Sequence, residues 1–341
     1  MQVNALANSN QRRNAVIMIA AFAAVYIIWG STYLAIKYAI DTIPPLLMAG
    51  VRFLSAGAVL MVWARFTADY EKPKKEHWRS ALIVGTLLLL FGNGGVVFAE
   101  RYISSSLAAL LVAMEPFWIV IFSWVWLRSS RPNLKVVSGL LAGFFGVWLL
   151  ISGHGPSGDS ALGGSMQLWA TLALVGSTFF WAAGSLFGLR AAAPRSAIQT
   201  AGMQMVAGGL VLLVVSVLFG EWSWLYISHI SAESIYGLLY LVLFGSIIGF
   251  TAYSWLLRNA PPPMVATYAY VNPIIAVLLG WLIAGETFTG QMLIGAGVIV
   301  SSVVLITSQE KDEGDSSSES DERMTTGGAA AGNQRAARAS A

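Results

Sequence analysis

Ten apolar segments, each about twenty residues long, follow one another along this 341-residue chain and restrict what it can fold into. They lie at about 15–36, 44–64, 80–99, 104–127, 134–152, 166–189, 198–218, 235–256, 263–284 and 290–308. A bilayer core about 30 Å thick is crossed by a helix of this length. Charged residues make up 11% of the chain, against about 25% in soluble domains, which excludes a soluble enzyme. The sequence therefore predicts an all-α polytopic membrane protein with ten transmembrane helices.

Lysine and arginine residues are distributed unequally between alternate loops. If the N-terminus is cytoplasmic, thirteen of them fall on the cytoplasmic side before the C-terminal tail, and only Lys37 and Arg101 fall outside. By the positive-inside rule, both termini are expected in the cytoplasm. The basic excess is then a topology signal, so the lipid bilayer is a predicted partner and nucleic acid is not.

The chain divides into four parts by composition. Residues 1–14 form a cytoplasmic N-terminal segment, and residues 15–152 and 165–308 each hold five of the apolar segments. Residues 309–341 are first acidic and rich in serine, then rich in glycine, alanine and arginine. Such a composition cannot bury a core, so this part is predicted to be a disordered cytoplasmic tail.

The two five-segment units resemble each other. A shift of 152 residues places Trp29 on Trp181, and a shift of 157 places Gly92 on Gly249 and Glu115-Pro116 on Asn272-Pro273. Because five is odd, the second unit must enter the membrane from the opposite side. Inverted repeats of this kind are typical of secondary transporters that work by alternating access, although some channels also have them.

Two charged side chains lie well inside the apolar segments, which is costly and typical of functional positions. Arg52 follows Pro44 by eight residues, about 12 Å along a helix, and Glu115 follows Ser104 by eleven, about 16 Å. These depths allow a static ion pair between helices. Alternatively, Glu115 couples protons or binds a substrate amine, and Arg52 anchors a carboxylate or acts as a latch. Their repeat equivalents, Gln204 and Asn272, either bond helices together or line a cavity.

Prolines and glycines inside the segments predict bends. Pro116 and Pro273 each remove a backbone donor in the middle of a helix. Their presence in both repeats fits a gating bend, and a plain kink is the alternative. Gly92 and Gly94 are expected to loosen the third helix, where Asn93 is the polar side chain between them.

A cavity walled by aromatic side chains with few polar groups suits amphipathic or aromatic solutes. For many of the aromatic residues, ordinary packing is the alternative. The residues predicted for such a substrate cavity are Trp29, Thr32, Tyr33, Asn93, Glu115, Trp118, Trp181, Gln204, Tyr253, Tyr268, Tyr270 and Asn272.

The sequence offers no chemistry for an enzyme. The chain has no cysteine, and its three histidines are assigned to loops, so neither a metal site nor a catalytic residue is predicted. A phosphate-binding GxxxxGK[ST] loop is also missing, so ATP is not expected to drive the protein directly, and no cofactor is expected. Glu286, at the end of the ninth segment, is interpreted as a solvated terminal charge.

Several short motifs resemble the EamA family of the drug/metabolite transporter superfamily. They are Trp29-Gly30-Ser31-Thr32, Pro44-Pro45, Arg52-Phe53, Glu115-Pro116, Asn272-Pro273 and Gly285-Glu286. The likeness covers residues 15–308 and implies ten helices in two repeats, a central cavity and alternating access. It also implies a multi-pass protein of the bacterial inner membrane, and such proteins are often exporters of amino acids or other small metabolites. A channel or a receptor remains the alternative function, and both a monomer and a homodimer remain open.

Overall fold

The computed structural model describes residues 2–126, 134–152, 163–260, 262–286, 289–291, 293–302 and 305. Within these ranges the chain is almost entirely helical and contains no strand. The tail predicted at 309–341 lies outside the described residues. The described part is therefore an all-α polytopic membrane protein, as predicted.

Ten helices of the described residues overlap the ten apolar segments, and three short helices, Glu221–Trp224, Ile227–His229 and Pro262–Val265, lie between them. The ten helices are α1 (Gln2–Ala39), α2 (Pro45–Ala64), α3 (Lys75–Ala99), α4 (Ser105–Val125), α5 (Leu134–Ser152), α6 (Gly163–Arg190), α7 (Ala197–Leu218), α8 (Ala232–Asn259), α9 (Tyr268–Ala284) and α10 (Leu293–Ser302). Seven of them, namely α1 to α4 and α6 to α8, contain stretches long and apolar enough to cross a bilayer. In α9 and α10, shorter apolar helices are described.

Local sequence explains several helix ends. The hydroxyl of Ser104 accepts a hydrogen bond from the backbone nitrogen of Leu107 at 3.2 Å, which caps the start of α4. Gly285 ends α9 with a φ of 63°, a left-handed conformation that glycine adopts without strain. Helix α3 begins at Lys75, earlier than predicted, so His77 lies in its first turn and not in a loop.

Helices α3 and α8 each contain a π-helical segment, at Thr86–Asn93 and Leu241–Phe250. The shift of 157 residues that aligns the two repeats superimposes these segments. π-Helical turns are rare and are found mostly at functional sites. The two repeats therefore share this local distortion as well as their sequence motifs.

Helix contacts follow a pseudo-twofold pattern. Helix α2 packs along its repeat equivalent α7, which forms the most extensive helix pair in the described residues. The contact of α1 with α9 has its counterpart in that of α6 with α4, and the contact of α1 with α8 in that of α6 with α3. Each repeat thus places its first helix against the third and fourth helices of the other repeat.

Glycines bring α2 and α7 close together where they cross. A Cβ on Gly57 would lie 2.7 Å from the backbone nitrogen of Val206, and one on Gly209 would lie 2.7 Å from that of Leu54. Gly57 and Gly209 are equivalent under the shift of 152. Small residues at such crossings let helix backbones approach in membranes.

Helix α4 is divided in the middle. Its two parts are Ser105–Val112 and Glu115–Val125, and Ala113 and Met114 form the turn between them. Pro116 follows directly, so it stands in the first turn of the second part, where a missing backbone donor costs little. Pro273, in contrast, lies inside the helix α9.

Candidate functional site

A cavity that we call the central cavity lies between the two repeats and is lined by residues of both. Eight of the twelve predicted substrate-cavity residues line it, and Arg52 and Gly92 line it too. The eight are Trp29, Thr32, Tyr33, Asn93, Glu115, Trp181, Tyr268 and Asn272. These residues come from α1, α3, α4, α6 and α9, the helices that make the pseudo-twofold contacts.

The other four predicted residues are placed differently. Trp118 does not line the central cavity, and its indole nitrogen donates a hydrogen bond to Oγ1 of Thr178, a lining residue, at 2.9 Å. Gln204 and Tyr253 line a second cavity, described below. The side chain of Tyr270 lies outside the described part of the structure.

Four aromatic rings form a cluster at one side of the central cavity. The ring centroid of Trp29 lies 5.6 Å from the ring centroid of Trp181, 4.9 Å from that of Tyr253 and 5.2 Å from that of Tyr268. Several pairs are edge-to-face, an arrangement that adds stability beyond burial alone. The four residues belong to α1, α6, α8 and α9, so this aromatic cluster joins both repeats.

The two tryptophans occupy equivalent places against glycines of the opposite repeat. A Cβ on Gly92 of α3 would lie 2.7 Å from Cε3 of Trp181, and one on Gly249 of α8 would lie 2.9 Å from Cδ1 of Trp29. Gly92 therefore makes room for an indole ring. The indole nitrogen of Trp29 also donates to the carbonyl of Gly245, at 3.1 Å, in the π-helical segment.

Glu115 is buried and points into the central cavity from the first turn of the second part of α4. The hydroxyl of Tyr268 donates to its Oε2, while its Oε1 has no partner among the described residues. The nearby helix N-terminus favours a negative charge at this position. Glu115 thus offers a free acceptor to a ligand.

Asn272, the repeat equivalent of Glu115, is buried in α9. In the amide orientation that satisfies its hydrogen bonds, its nitrogen donates to the carbonyls of Tyr26 at 2.9 Å and Tyr268 at 3.2 Å. The bond to Tyr26 holds α9 against α1 near Pro273. The residue therefore joins helices and lines the cavity at once.

Arg52 and Glu115 line the same cavity but do not form the ion pair that their depths allow. Nε of Arg52 donates to Ser246 Oγ at 2.8 Å, in the π-helical segment of α8. Its guanidinium stands 4.6 Å from the ring of Phe53, and its Nη1 has no partner among the described residues. Depth along a helix does not specify the rotation that aims a side chain, and here Arg52 faces α8 while Glu115 faces α9.

A second cavity lies beyond the aromatic cluster. Gln204, Tyr253 and Arg258 are among its lining residues. The hydroxyls of Tyr253 and Ser185 are hydrogen-bonded at 2.7 Å. Because Tyr253 packs on Trp29 and also lines this cavity, the aromatic cluster separates the second cavity from the central one.

A third cavity lies at the opposite end of the molecule, which we call the Lys37 end. There Glu286 is not the solvated charge that was predicted, because its side chain is only 6% exposed. It forms an ion pair with Lys37 at 2.9 Å and accepts hydrogen bonds from both serines, Ser105 and Ser106, at the start of α4. The unpaired backbone donors of that helix start attract a carboxylate from another part of the chain.

Sequence reasoning missed two further buried carboxylates. Glu221 accepts from the backbone nitrogens of Leu46 and Leu47, at 3.1 and 2.8 Å, and so caps α2 from a distant loop. Glu100 is buried at the end of α3. Both stand beside turns at the ends of apolar segments, where an acidic residue is ordinarily solvated, and the sequence carries no signal of their burial.

Among the described residues, no group of three or more histidine or acidic side chains is arranged to hold a metal ion. The polar groups of the central cavity suit hydrogen bonding and charge recognition.

Comparison with known proteins identifies the family. The EamA-like transporter family matches the chain twice, over residues 16–152 and 168–308. The chain is 37% identical over 290 residues to the uncharacterized inner membrane transporter YedA of Escherichia coli (strain K12), which covers 84% of this chain and 89% of that protein. It is 28% identical over 282 residues to the uncharacterized transporter YvbV of Bacillus subtilis (strain 168), covering 82% and 88%.

Two more similarities agree with this assignment. A probable amino-acid metabolite efflux pump of Salmonella typhimurium (strain LT2) is 26% identical over 290 residues, covering 82% of this chain and 91% of the pump. A solved structure titled "Crystal structure of protein" matches the fold with a TM-score of 0.61 at 20% identity, over 87% of this chain and 98% of that one. The chain therefore belongs to the EamA-like transporter family and is a multi-pass transporter of the inner membrane.

Proposed function

We propose that this protein is a secondary transporter that exports small metabolites across the cytoplasmic membrane by alternating access. The substrates we infer are amino acids or amphipathic and aromatic compounds of similar size. The observation that carries this proposal is the central cavity, which combines aromatic walls with both hydrogen-bond donors and hydrogen-bond acceptors.

Four polar atoms on residues that line this cavity have no hydrogen-bond partner among the described residues. Oε1 of Glu115 and Oδ1 of Asn93 are acceptors, and Nη1 of Arg52 and Nε1 of Trp181 are donors. An ammonium group would bind the acceptors, and a carboxylate would bind the guanidinium. Trp29 and Trp181 would pack against the apolar part of the solute.

The arrangement of cavities supports alternating access. The central cavity lies between the second cavity and the one at the Lys37 end, and the aromatic cluster separates it from the second. In an inverted repeat the two halves exchange conformations, which opens a central site first to one side and then to the other. Movement of Tyr253 away from Trp29 would open the path to the second cavity.

The orientation and domain limits form part of the same proposal. We place both termini in the cytoplasm on the basis of the lysine and arginine distribution. The transport unit then comprises residues 15–152 and 165–308, preceded by the segment 1–14 and followed by the tail 309–341. The second cavity, which contains Arg258, would face the cytoplasm and the Lys37 end the outside.

Counterflow in proteoliposomes tests the proposal. Purified protein is reconstituted into vesicles that hold unlabelled amino acids, and the entry of labelled leucine, threonine, methionine or tryptophan is followed separately. Transient accumulation of one label above equilibrium is expected for alternating access. The Glu115→Gln variant is expected to reduce the rate for an amine-bearing solute by tenfold or more, on the order of 1.4 kcal/mol.

The same experiment distinguishes the alternatives. Passive equilibration that never saturates would indicate a channel and overturn alternating access. An unchanged rate in Glu115→Gln would remove that residue from substrate binding. Failure of all four labels would reject amino acids as the substrate class.

A further inference from the structure

Glu100 stands out among the buried acidic side chains at the Lys37 end. It directly follows the last residue of α3 and is only 6% exposed. Neither of its carboxylate oxygens has a hydrogen-bond partner among the described residues. A buried ionised carboxylate without donors is strongly unfavourable.

The other buried carboxylates of the described residues differ in this respect. Glu286 is bonded to Lys37 and to serines, Glu221 to backbone nitrogens, and Glu115 to Tyr268. Each of these groups accepts at least one hydrogen bond, whereas Glu100 accepts none from the described residues. The neutral, protonated form of Glu100 is the one that this environment accommodates.

Several charged and titratable groups face Glu100, and the cations among them are engaged elsewhere. Lys37 of α1 is paired with Glu286, and Arg52 of α2 is bonded to Ser246. Burial and the Glu286 carboxylate raise the pKa of Glu100, while Lys37 and Arg52 lower it, and the result lies well above the usual range. Tyr33 of α1 also faces it.

Glu100 stands between two cavities. Val96, one turn earlier on α3, lines the central cavity, and Glu100 borders the cavity at the Lys37 end. Asp41 and Arg101 are the other charged residues that line this end cavity, apart from Lys37. The oxygens of Glu100 are shielded in this state, so a proton is the cation small enough to bind there.

At the same end, the ion pair of Lys37 and Glu286 is the contact that would hold the helices together in a closed state. This pair joins the last turn of α1 to the second residue after α9, and through Ser105 and Ser106 to the start of α4. A second carboxylate in its negative form would compete with Glu286 for Lys37. The charge on Glu100 therefore bears directly on this closure.

We propose that Glu100 is a proton-binding site that controls opening of the Lys37 end: the protonated side chain belongs to the closed state, and release of its proton favours opening. The proton passes to water in the end cavity, and the remaining carboxylate draws Lys37 away from Glu286. In transport, Glu100 would couple the proton and Glu115 would bind the substrate, and this division of roles rests on the proposed function. The binding of a proton by Glu100 does not depend on the proposed function.

Infrared titration of the full-length protein in nanodiscs tests the proton site without any substrate. Wild type is expected to show a protonated-carboxyl band at neutral pH that titrates at higher pH. The component of this band that belongs to Glu100 should be lost in Glu100→Gln, shift in Glu100→Asp and remain in Glu115→Gln. A band that is unchanged in Glu100→Gln would overturn the proposal, because Glu100 would then be ionised throughout.

Thiol accessibility tests the link to opening, since the chain has no cysteine of its own. Ile36, which lines the central cavity, is replaced by cysteine and exposed to a membrane-impermeant reagent between about pH 6 and pH 8. The labelling rate is divided by that of the same reporter in Glu100→Gln, which cancels the pH dependence of the thiol itself. At pH values below the pKa of Glu100, this ratio should increase about tenfold for each unit by which the pH is raised. Thr32→Cys serves as a second reporter if Ile36→Cys does not fold.

The outcomes separate this inference from the proposed function. Equal pH profiles in the wild-type and Glu100→Gln backgrounds would overturn the coupling to opening. Counterflow without the Glu100 band would leave the transporter in place and remove the proton site. The Glu100 band with pH-dependent labelling but no counterflow would keep the proton site and reject the proposed transport.

Discussion

The hydroxyl of Tyr268 on α9 donates a hydrogen bond to the carboxylate of Glu115 on α4, and this bond joins the two repeats within the wall of the central cavity. Among the described residues, no other group donates a hydrogen bond to the Glu115 side chain. The phenol thus stabilises the carboxylate and leaves Oε1 for a ligand.

Removal of this donor is expected to destabilise the protein. In Tyr268→Phe, Glu115 remains buried and loses its described hydrogen bond, which we expect to cost about 1–3 kcal/mol. Thermal unfolding in detergent measures the change. In Glu115→Gln an acceptor for Tyr268 is kept and the charge removed, so this control should unfold nearer to wild type. Equal unfolding temperatures for wild type and Tyr268→Phe would contradict the expectation.

Glu286 predicts an acid-sensitive contribution to stability. Burial raises its pKa, but hydrogen bonds from Ser106, Lys37 and Ser105 outweigh burial and lower the pKa to about 2. An unfolded glutamate has a pKa of about 4.3. Because the folded value is the lower one, the contribution is present above about pH 4.3 and is lost as pH falls towards 2.

The difference in unfolding temperature between wild type and Glu286→Gln measures this contribution. It should be constant from about pH 7 to pH 5 and shrink at lower pH. Lys37→Met, which removes the ion-pair partner and keeps the serine bonds, should lower stability at neutral pH to a smaller extent. A difference in unfolding temperature that grows on acidification would show that folding raises the pKa of Glu286, which would contradict this prediction.

Glu221 is expected to stabilise the start of α2. Its carboxylate accepts hydrogen bonds from the backbone nitrogens of Leu46 and Leu47 and from Ser216. We expect Glu221→Ala to cost about 1–3 kcal/mol, since these donors lose their acceptor. Glu233→Gln, at an exposed position near the start of α8, is the control, with an expected cost below about 1 kcal/mol. Similar losses in both variants would show that the cap is unimportant.

The glycines beside the two tryptophans predict a steric effect that should be symmetric between repeats. Gly92→Ala and Gly249→Ala each place a methyl group against an indole ring, so we expect each to cost about 1–3 kcal/mol and to slow counterflow. Gly176→Ala in α6 is the matched control, because a Cβ there meets nothing within 4 Å. A gain in stability for Gly92→Ala would show that the indole moves without cost.

Hydropathy and repeat spacing anticipated the fold well. Apolar segments of bilayer length allow little besides membrane helices, since backbone groups in lipid must be bonded within the chain. The spacing that pairs Trp29 with Trp181 and Gly92 with Gly249 corresponds to the observed contacts of each indole with a glycine of the opposite repeat. The family assignment indicated by the short motifs is confirmed.

The site was anticipated less completely. Arg52 and Glu115 were placed at compatible depths, yet each bonds to a residue more than 150 positions away. Glu286 was interpreted as solvated, yet it is buried against α4. Rotation about helix axes and the docking of loops decide such partners, and neither has a periodic sequence signal.

The sequence by itself determined that the chain forms membrane helices, that they occur in two related sets of five, and that a few polar groups lie within them. Burial of apolar length and repetition along the chain are local properties, so they can be read without a structure. Only the tertiary structure decided which polar groups meet, that Glu100 has no donor among the described residues and that the aromatic cluster separates two cavities. Those outcomes depend on packing between helices distant in sequence, where a single rotation exchanges one partner for another.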